Sequence, residues 1–221
     1  MLKAVIFDMD GVLMNSEDIH YEVEKNILKR FDVDFKMEEH VRYVGQRTVD
    51  LWTGVCSDHG LASDPVLLAK EDNESYMLEL QKGDFEPVSG IPELIDHLEE
   101  CGIRMIIASS ANRSNIEVVM EKFRLVDRFE GYASGQDVSR AKPNPDIFLL
   151  AAEKLRLEPE NCLVIEDARH GVEAAKSAGM TCIGYRNPSS GDQDLSLANL
   201  IVDDINQLNV KLLNSLTTNI L

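Results

Sequence analysis

The sequence predicts an α/β protein, a doubly wound parallel sheet with a helical domain inserted after its first strand. Three observations carry that prediction. Short apolar runs recur after residue 100, each followed by a stretch of helical spacing. An earlier run, Ala4-Val5-Ile6-Phe7, stands alone near the N-terminus and leads into Asp8, Asp10 and Gly11. From Asn15 to Gly83 only helical spacing occurs, with no strand pattern.

The elements follow in order. Residues 3–7 are almost continuously apolar, as in a strand covered on both faces. Gly11 allows the chain to turn sharply behind it. Asn15-Ser16-Glu17-Asp18 resembles a helix cap, and Ile19, Val23, Ile27 and Leu28 then repeat at helical spacing. Val49-Asp50-Leu51-Trp52 opens a further helix that ends near Gly60. Asp64 and Pro65 supply an N-cap and a first-turn proline for a helix running through Tyr76, Met77 and Leu80. Residues 15–84 are therefore assigned to the helical domain, and residues 1–14 with 85–221 to the sheet domain. In the second part, helices are expected over 91–100, 114–124, 145–156, 172–178 and 205–216. Strands are expected over 104–109, 131–134, 162–165 and 181–184, with 200–202 as an edge. The tail from Thr217 carries no signal.

Composition narrows the function. The chain of 221 residues has 22 basic and 39 acidic side chains, a formal net charge of -17. No broad basic face for nucleic acid is expected from such a balance. An anionic substrate would need local help from a cation, a lysine and backbone N–H groups. The four cysteines, Cys56, Cys101, Cys162 and Cys182, form no C-x-x-C pair, so neither a zinc site nor a disulfide framework is expected. No apolar run approaches a membrane span of about 20 residues. A monomeric, reduced, cytoplasmic protein is expected.

The chemistry gathers at predicted strand ends. Asp8 and Asp10 follow the first strand, Ser109 and Ser110 end the second, Lys142 lies in the loop after the third, and Glu166 and Asp167 end the fourth. In a parallel sheet these ends share one edge, so the residues converge. Singly, each has an ordinary explanation: a helix cap, a turn, a solvated lysine. The ordered set points instead to metal-assisted phosphoryl transfer. Asp8 would attack phosphorus as a nucleophilic carboxylate. Asp10 would protonate the leaving oxygen and then deprotonate water. Asp8, Asp167, Glu166 and the Asp10 backbone carbonyl suit the oxygen coordination of Mg²⁺. Lys142 and Ser109, with Ser110 beside it, would hold the phosphoryl oxygens.

These stretches resemble the four motifs of the haloacid dehalogenase superfamily: Asp8-Met9-Asp10-Gly11-Val12-Leu13, Ala108-Ser109-Ser110, Lys142-Pro143 with Asp146, and Ile165-Glu166-Asp167 with Gly171. The resemblance implies a Rossmann-like core, Mg²⁺, an aspartyl-phosphate intermediate and a cap closing over the substrate. Residues 15–84 resemble the cap of the branch holding β-phosphoglucomutases and sugar-phosphate and phosphoglycolate phosphatases. An aspartate at position 10 is what phosphoryl-transferring members carry, and it argues against dehalogenation.

Within that branch the cap residues discriminate. His20 and Ser16 stand where mutases and several phosphatases carry a histidine and a hinge hydroxyl. The mutase pattern Lys-Gly-x-x-Arg is matched only loosely by Val44-Gly45-Gln46-Arg47-Thr48. Asp72 replaces a substrate-binding lysine of the mutases, and Ala111-Asn112-Arg113 replaces Ser-Lys-Asn. Fewer cap cations weaken the grip on a bisphosphate, although Arg47 and Arg113 are candidates to compensate. A Mg²⁺-dependent phosphatase for a small phosphorylated metabolite, a sugar phosphate first, is the expected function. The alternatives are β-phosphoglucomutase, inorganic pyrophosphatase and, from another class, a receiver-type phosphoprotein without turnover.

Overall fold

A computed structural model of the chain describes residues 2–83 and 85–218. The boundary placed at residue 84 and the tail from residue 219 lie outside the described residues.

The chain runs from strand β1 (Ala4–Phe7) into four helices: α1 (Glu17–Leu28), α2 (Met37–His40), α3 (Thr48–His59) and α4 (Pro65–Lys82). Helix and strand then alternate: α5 (Ile91–Glu100), β2 (Arg104–Ser109), α6 (Arg113–Lys122), β3 (Tyr132–Ser134), α7 (Asp146–Leu155), β4 (Cys162–Glu166), α8 (Arg169–Ser177), β5 (Thr181–Tyr185), β6 (Leu200–Val202) and α9 (Val210–Thr218). The strands form one parallel sheet in the order β3-β2-β1-β4-β5-β6.

Side chains alternate across this sheet and divide the core in two. Val5, Phe7, Ile107 and Ile165 pack with Leu94, Ile116, Val119 and Leu213 from α5, α6 and α9. Ala4, Ile6, Ile106 and Val164 face the opposite side, against Phe148, Ala151 and Val172 from α7 and α8. Both faces are buried, which is why the strands read as apolar runs rather than alternating ones. The inserted helices gather around an apolar cluster of their own: Val23, Ile27, Trp52, Val55 and Leu68. Among the described residues, no strand lies between Glu17 and Lys82. No described helix is long and apolar enough to cross a membrane.

Two expected helices differ in extent. The segment expected as one helix over 205–216 is a single turn, Ile205–Gln207, followed by α9. Asp204 accepts the Asn206 N–H and closes the first turn, Leu208 is extended, and Asn209 then accepts the Leu212 N–H to start α9. Side-chain acceptors interrupt a helix that the apolar spacing alone would continue. Helix α8 begins at Arg169 rather than Val172, so its first turn lies directly behind Asp167.

Candidate active site

Strand register brings the polar groups together. Phe7 lies level with Ile107 on one side and Ile165 on the other, so Asp8, Ser109 and Glu166 leave the sheet at neighbouring points. The Asp8 N–H donates to the Ile165 carbonyl at 3.0 Å, which carries the pairing one step past β1.

Lys142 is buried, not solvated. Its ammonium donates to Asp8 Oδ1 and Glu166 Oε1, both at 2.6 Å. Burial alone would lower the lysine pKa; the two carboxylates overcome this and push it upward. Glu166 Oε2 accepts the N–H groups of Asp167 and Ala168 at 3.0 Å each, so both its oxygens are engaged. This carboxylate lies so close to α8 that a Cβ on Gly171 would sit 1.7 Å from Glu166 Oε1. Gly11, at φ +79°, passes Asp167 as closely, with its notional Cβ 1.9 Å from Oδ2. A side chain at either position would occupy the acids' own space.

Asp8, Glu166 and Asp167 present carboxylate oxygens within 4.8 Å of one another, all buried. One ammonium among three carboxylates leaves a surplus of negative charge. Burial, then repulsion from its neighbours, pushes Asp167 well above the usual carboxylate range. Asp8 is raised too, by burial first and by Glu166 and Asp10, against the lowering effect of Lys142. Ser190 donates to Asp167 Oδ2, whereas Asp167 Oδ1 is buried with no partner among the described residues. Three carboxylates so placed, one with a partnerless oxygen, form an oxygen-donor set of the kind that holds a divalent cation.

Asp10 is set differently. Its Oδ1 accepts from the Ser16 hydroxyl at 2.6 Å and from the Tyr76 hydroxyl at 3.2 Å, with His20 Nε2 at 3.6 Å. The His20 ring stacks on Tyr76 with centroids 3.9 Å apart. Burial raises Asp10, but His20 and the two hydroxyls outweigh it, and the carboxyl stands below its ordinary value. The reciprocal effect overcomes burial at His20 and lifts its pKa to about 9. Asp8 and Asp10 thus occupy opposite electrostatic settings two residues apart.

Around these acids are a small chamber and a wide cleft. The chamber, about 60 Å³, is walled by Asp8, Asp10, Ser109 and Ser110 from the strand ends and by His20, Gly45 and Asp72 from the inserted segment. The cleft, about 1110 Å³, runs between α4 and α6 and is bordered by Arg47, Lys70, Ser110 and Asn112. Ser110 Oγ donates to the Gly45 carbonyl at 2.9 Å, which seats the inserted segment on the sheet. Gly45, at φ +80°, faces Ala168 so closely that a Cβ would come within 2.7 Å of the alanine methyl.

The structure therefore gathers Asp8, Asp10, Ser16, His20, Gly45, Ser109, Ser110, Lys142, Glu166 and Asp167 around one point. Arg47 borders the cleft with its guanidinium on Asp50 at 2.8 Å. Arg113 is not brought in: it borders neither space, and its guanidinium binds Asp137 beyond β3. Sequence reasoning missed Tyr76, His40, Asn187 and Ser190. Asn187 Nδ2 donates to the Gly11 carbonyl at 2.7 Å and to Asn15 Oδ1 at 2.8 Å, so the end of β5 fastens the turn behind Asp10. The strand-end criterion, applied once more after β5, would have found Asn187 and Ser190. Helical spacing marks Tyr76 only as a buried residue of α4 and does not mark His40 at all; both reach the site through helix packing.

A parallel sheet that gathers Asp8 from the end of β1, Lys142 from the loop after β3 and Glu166 and Asp167 from the end of β4 places the site at the strand-end edge typical of α/β proteins. The chain belongs to the haloacid dehalogenase-like hydrolase family, whose model it matches over residues 5–185. It is similar to β-phosphoglucomutase of Bacillus subtilis strain 168, with 29% identity over 96% of this chain and 94% of the relative. It is also 30% identical to a phosphorylated carbohydrates phosphatase of Thermotoga maritima, over 81% of this chain and 82% of that one. Among solved structures, a β-phosphoglucomutase from Clostridium difficile superposes with a TM-score of 0.87 at 26% identity, covering 99% of this chain and 98% of that chain.

Proposed function

We propose that the protein is a Mg²⁺-dependent phosphatase that hydrolyses a small phosphate monoester, of the sugar-phosphate class, through an aspartyl phosphate on Asp8. The observation that carries this reading is the contrast between Asp8, clamped by Lys142 in an acid-rich pocket, and Asp10, held to His20 at 3.6 Å. Residues 1–14 and 85–221 act as the catalytic core and residues 15–84 as a cap.

In the first half-reaction an Asp8 carboxylate oxygen bonds to phosphorus as the bond to the leaving oxygen breaks. A proton delivered through Asp10 neutralises that oxygen. His20, protonated up to about pH 9, keeps a proton within reach of Asp10. In the second half-reaction Asp10 takes a proton from water, water oxygen bonds to phosphorus, and the Asp8 carboxylate is released. Lys142 and Ser109 bear the charge of the transferring oxygens. Asp8, Asp167 and the Asp10 carbonyl would hold Mg²⁺, with Glu166 contributing chiefly by fixing Lys142. Bound there, the ion would supply charge neutralisation for the phosphoryl oxygens.

Support for a phosphatase as first reading comes from Asp72, a buried acid in the chamber wall that offers no cation to a second phosphate. Ser16 and His20 around Asp10 keep the mutase as second reading, and a coupled assay with β-glucose 1-phosphate and bisphosphate primer distinguishes them.

Phosphate release from p-nitrophenyl phosphate and from a panel of sugar phosphates tests the proposal. EDTA is expected to abolish turnover and excess Mg²⁺ to restore it; turnover indifferent to chelation would remove the metal from the mechanism. Gly171→Ala is expected to lower kcat/KM by roughly 10²-fold, because the new methyl displaces Glu166 and with it Lys142 by an ångström or more. Near-normal turnover in that variant would show that the Glu166–Lys142 contact is not needed.

A further inference from the structure

The loop after β5 reaches both the acid cluster and the inserted segment. It begins at Asn187, whose side chain accepts the Ser189 N–H at 2.9 Å and closes the turn Pro188–Ser190. Ser190 is fully buried, and its hydroxyl donates to Asp167 Oδ2. That bond engages one oxygen of Asp167 and leaves the partnerless Oδ1 for a cation. Three residues on, the Gln193 amide uses both of its ends. Its Nε2 donates to the Ser190 carbonyl at 3.0 Å and to the Val41 carbonyl of the inserted segment at 3.1 Å. Its Oε1 accepts the Arg169 N–H at 3.2 Å, at the start of α8 and two residues past Asp167. Packing is close at the same place: a Cβ on Gly191 would lie 2.6 Å from Val41 Cγ1.

An amide that merely closed its own loop would need only the Ser190 carbonyl. Two of the three Gln193 contacts lie outside that loop, one on α8 and one on the inserted segment. We infer that Gln193 is a positioning residue that, through Ser190, couples the seating of the inserted segment to the placement of Asp167, so that a divalent cation is held more tightly with the segment seated. The inference rests on the metal reading of the acid cluster given above. When the segment lifts, Nε2 loses the Val41 carbonyl and the loop loses its outer anchor. The Ser190 hydroxyl moves with the loop, and the Asp167 carboxylate is no longer held in one orientation. Linkage makes the coupling reciprocal: an ion at Asp167 favours the seated segment by the same factor.

Two measurements test this: Mg²⁺ affinity by titration calorimetry, and hydrogen exchange over residues 41–46 with and without Mg²⁺. Gln193→Met keeps the length of the side chain and removes its donors and acceptor; Ser190→Ala removes only the hydroxyl. Each is expected to weaken Mg²⁺ binding by about 10-fold, the low end for losing the partner of a ligating group. The double variant is expected to bind no more weakly than Ser190→Ala alone, because one residue acts through the other. Mg²⁺ should slow exchange over 41–46 in the wild type and slow it less in Gln193→Met. Unchanged Mg²⁺ affinity in Gln193→Met, or losses that multiply in the double variant, would overturn the inference. So would wild-type exchange over 41–46 that Mg²⁺ leaves unaltered. With wild-type Mg²⁺ binding and phosphate release intact, each of these results spares the phosphatase reading. Wild-type protein that binds no Mg²⁺ would remove the metal reading and this inference together.

Discussion

Asp8→Asn is expected to lose at least about 10⁴-fold in kcat, some 5.5 kcal/mol of transition-state stabilisation, while its fold is kept or strengthened. The loss follows from chemistry: an amide oxygen is a poor nucleophile, and its nitrogen cannot serve a metal as a carboxylate does. The gain follows from the charge of the pocket. Asp8, Glu166 and Asp167 crowd around a single Lys142, and the Asp8 carboxyl is raised by burial and by its acidic neighbours. A carboxyl whose folded pKa lies above its unfolded value costs stability wherever it is ionised. Removing the Asp8 charge leaves Lys142 its 2.6 Å partner Glu166 and relieves the repulsion. The metal-free variant should therefore melt at or above the wild-type temperature, and added Mg²⁺ should raise its melting temperature less than that of the wild type. Calorimetry with and without Mg²⁺, beside single-turnover phosphate release, checks both halves. Retained turnover would displace Asp8 as the nucleophile; a markedly lower metal-free melting temperature would contradict the account of the pocket as a store of repulsion.

Much of this site was legible because parallel strands leave polar residues in one place. Asp8, Ser109, Lys142, Glu166 and Asp167 are far apart in sequence but stand at the ends of β1, β2 and β4 or in the loop after β3, and the alternation of elements predicts that edge. Helix packing was less legible. The 3.6-residue period places Tyr76 on a buried face of α4, but it does not say that the face meets Asp10, 66 residues away. His40 sits in a one-turn helix too short to carry any period. Arg113 shows the opposite error. Its place just after the serines suggested the site, but it opens α6, and the ion pair with Asp137 turns it toward β3. Asp72 was read as a lost cation; the spacing did not show that it accepts the Trp52 indole N–H and lies in the chamber wall.

His40→Gln is expected to destabilise the protein by about 3–5 kcal/mol, the range for breaking a buried ion pair and leaving its partners unmatched. The imidazole joins Glu17 and Glu24, two residues of α1 spaced to share one face, and so ties the segment before α3 to the helix that begins at Glu17. Burial opposes the charge on His40, but the two carboxylates prevail and lift its pKa to about 10. Because that folded value lies above the unfolded value of about 6.5, the contribution is complete below pH 6.5 and is lost as pH rises toward 10. Wild-type melting temperature should accordingly fall between pH 7 and pH 10 by more than that of the variant, whose glutamine does not titrate. At pH 7 the variant should melt roughly 10 °C lower. The effect should reach turnover as well, since α1 positions His20 against Asp10 and Glu17 and Glu24 wall the chamber. Parallel melting curves for the two proteins across that pH range would refute the buried imidazolium and leave His40 as a neutral hydrogen-bonding residue.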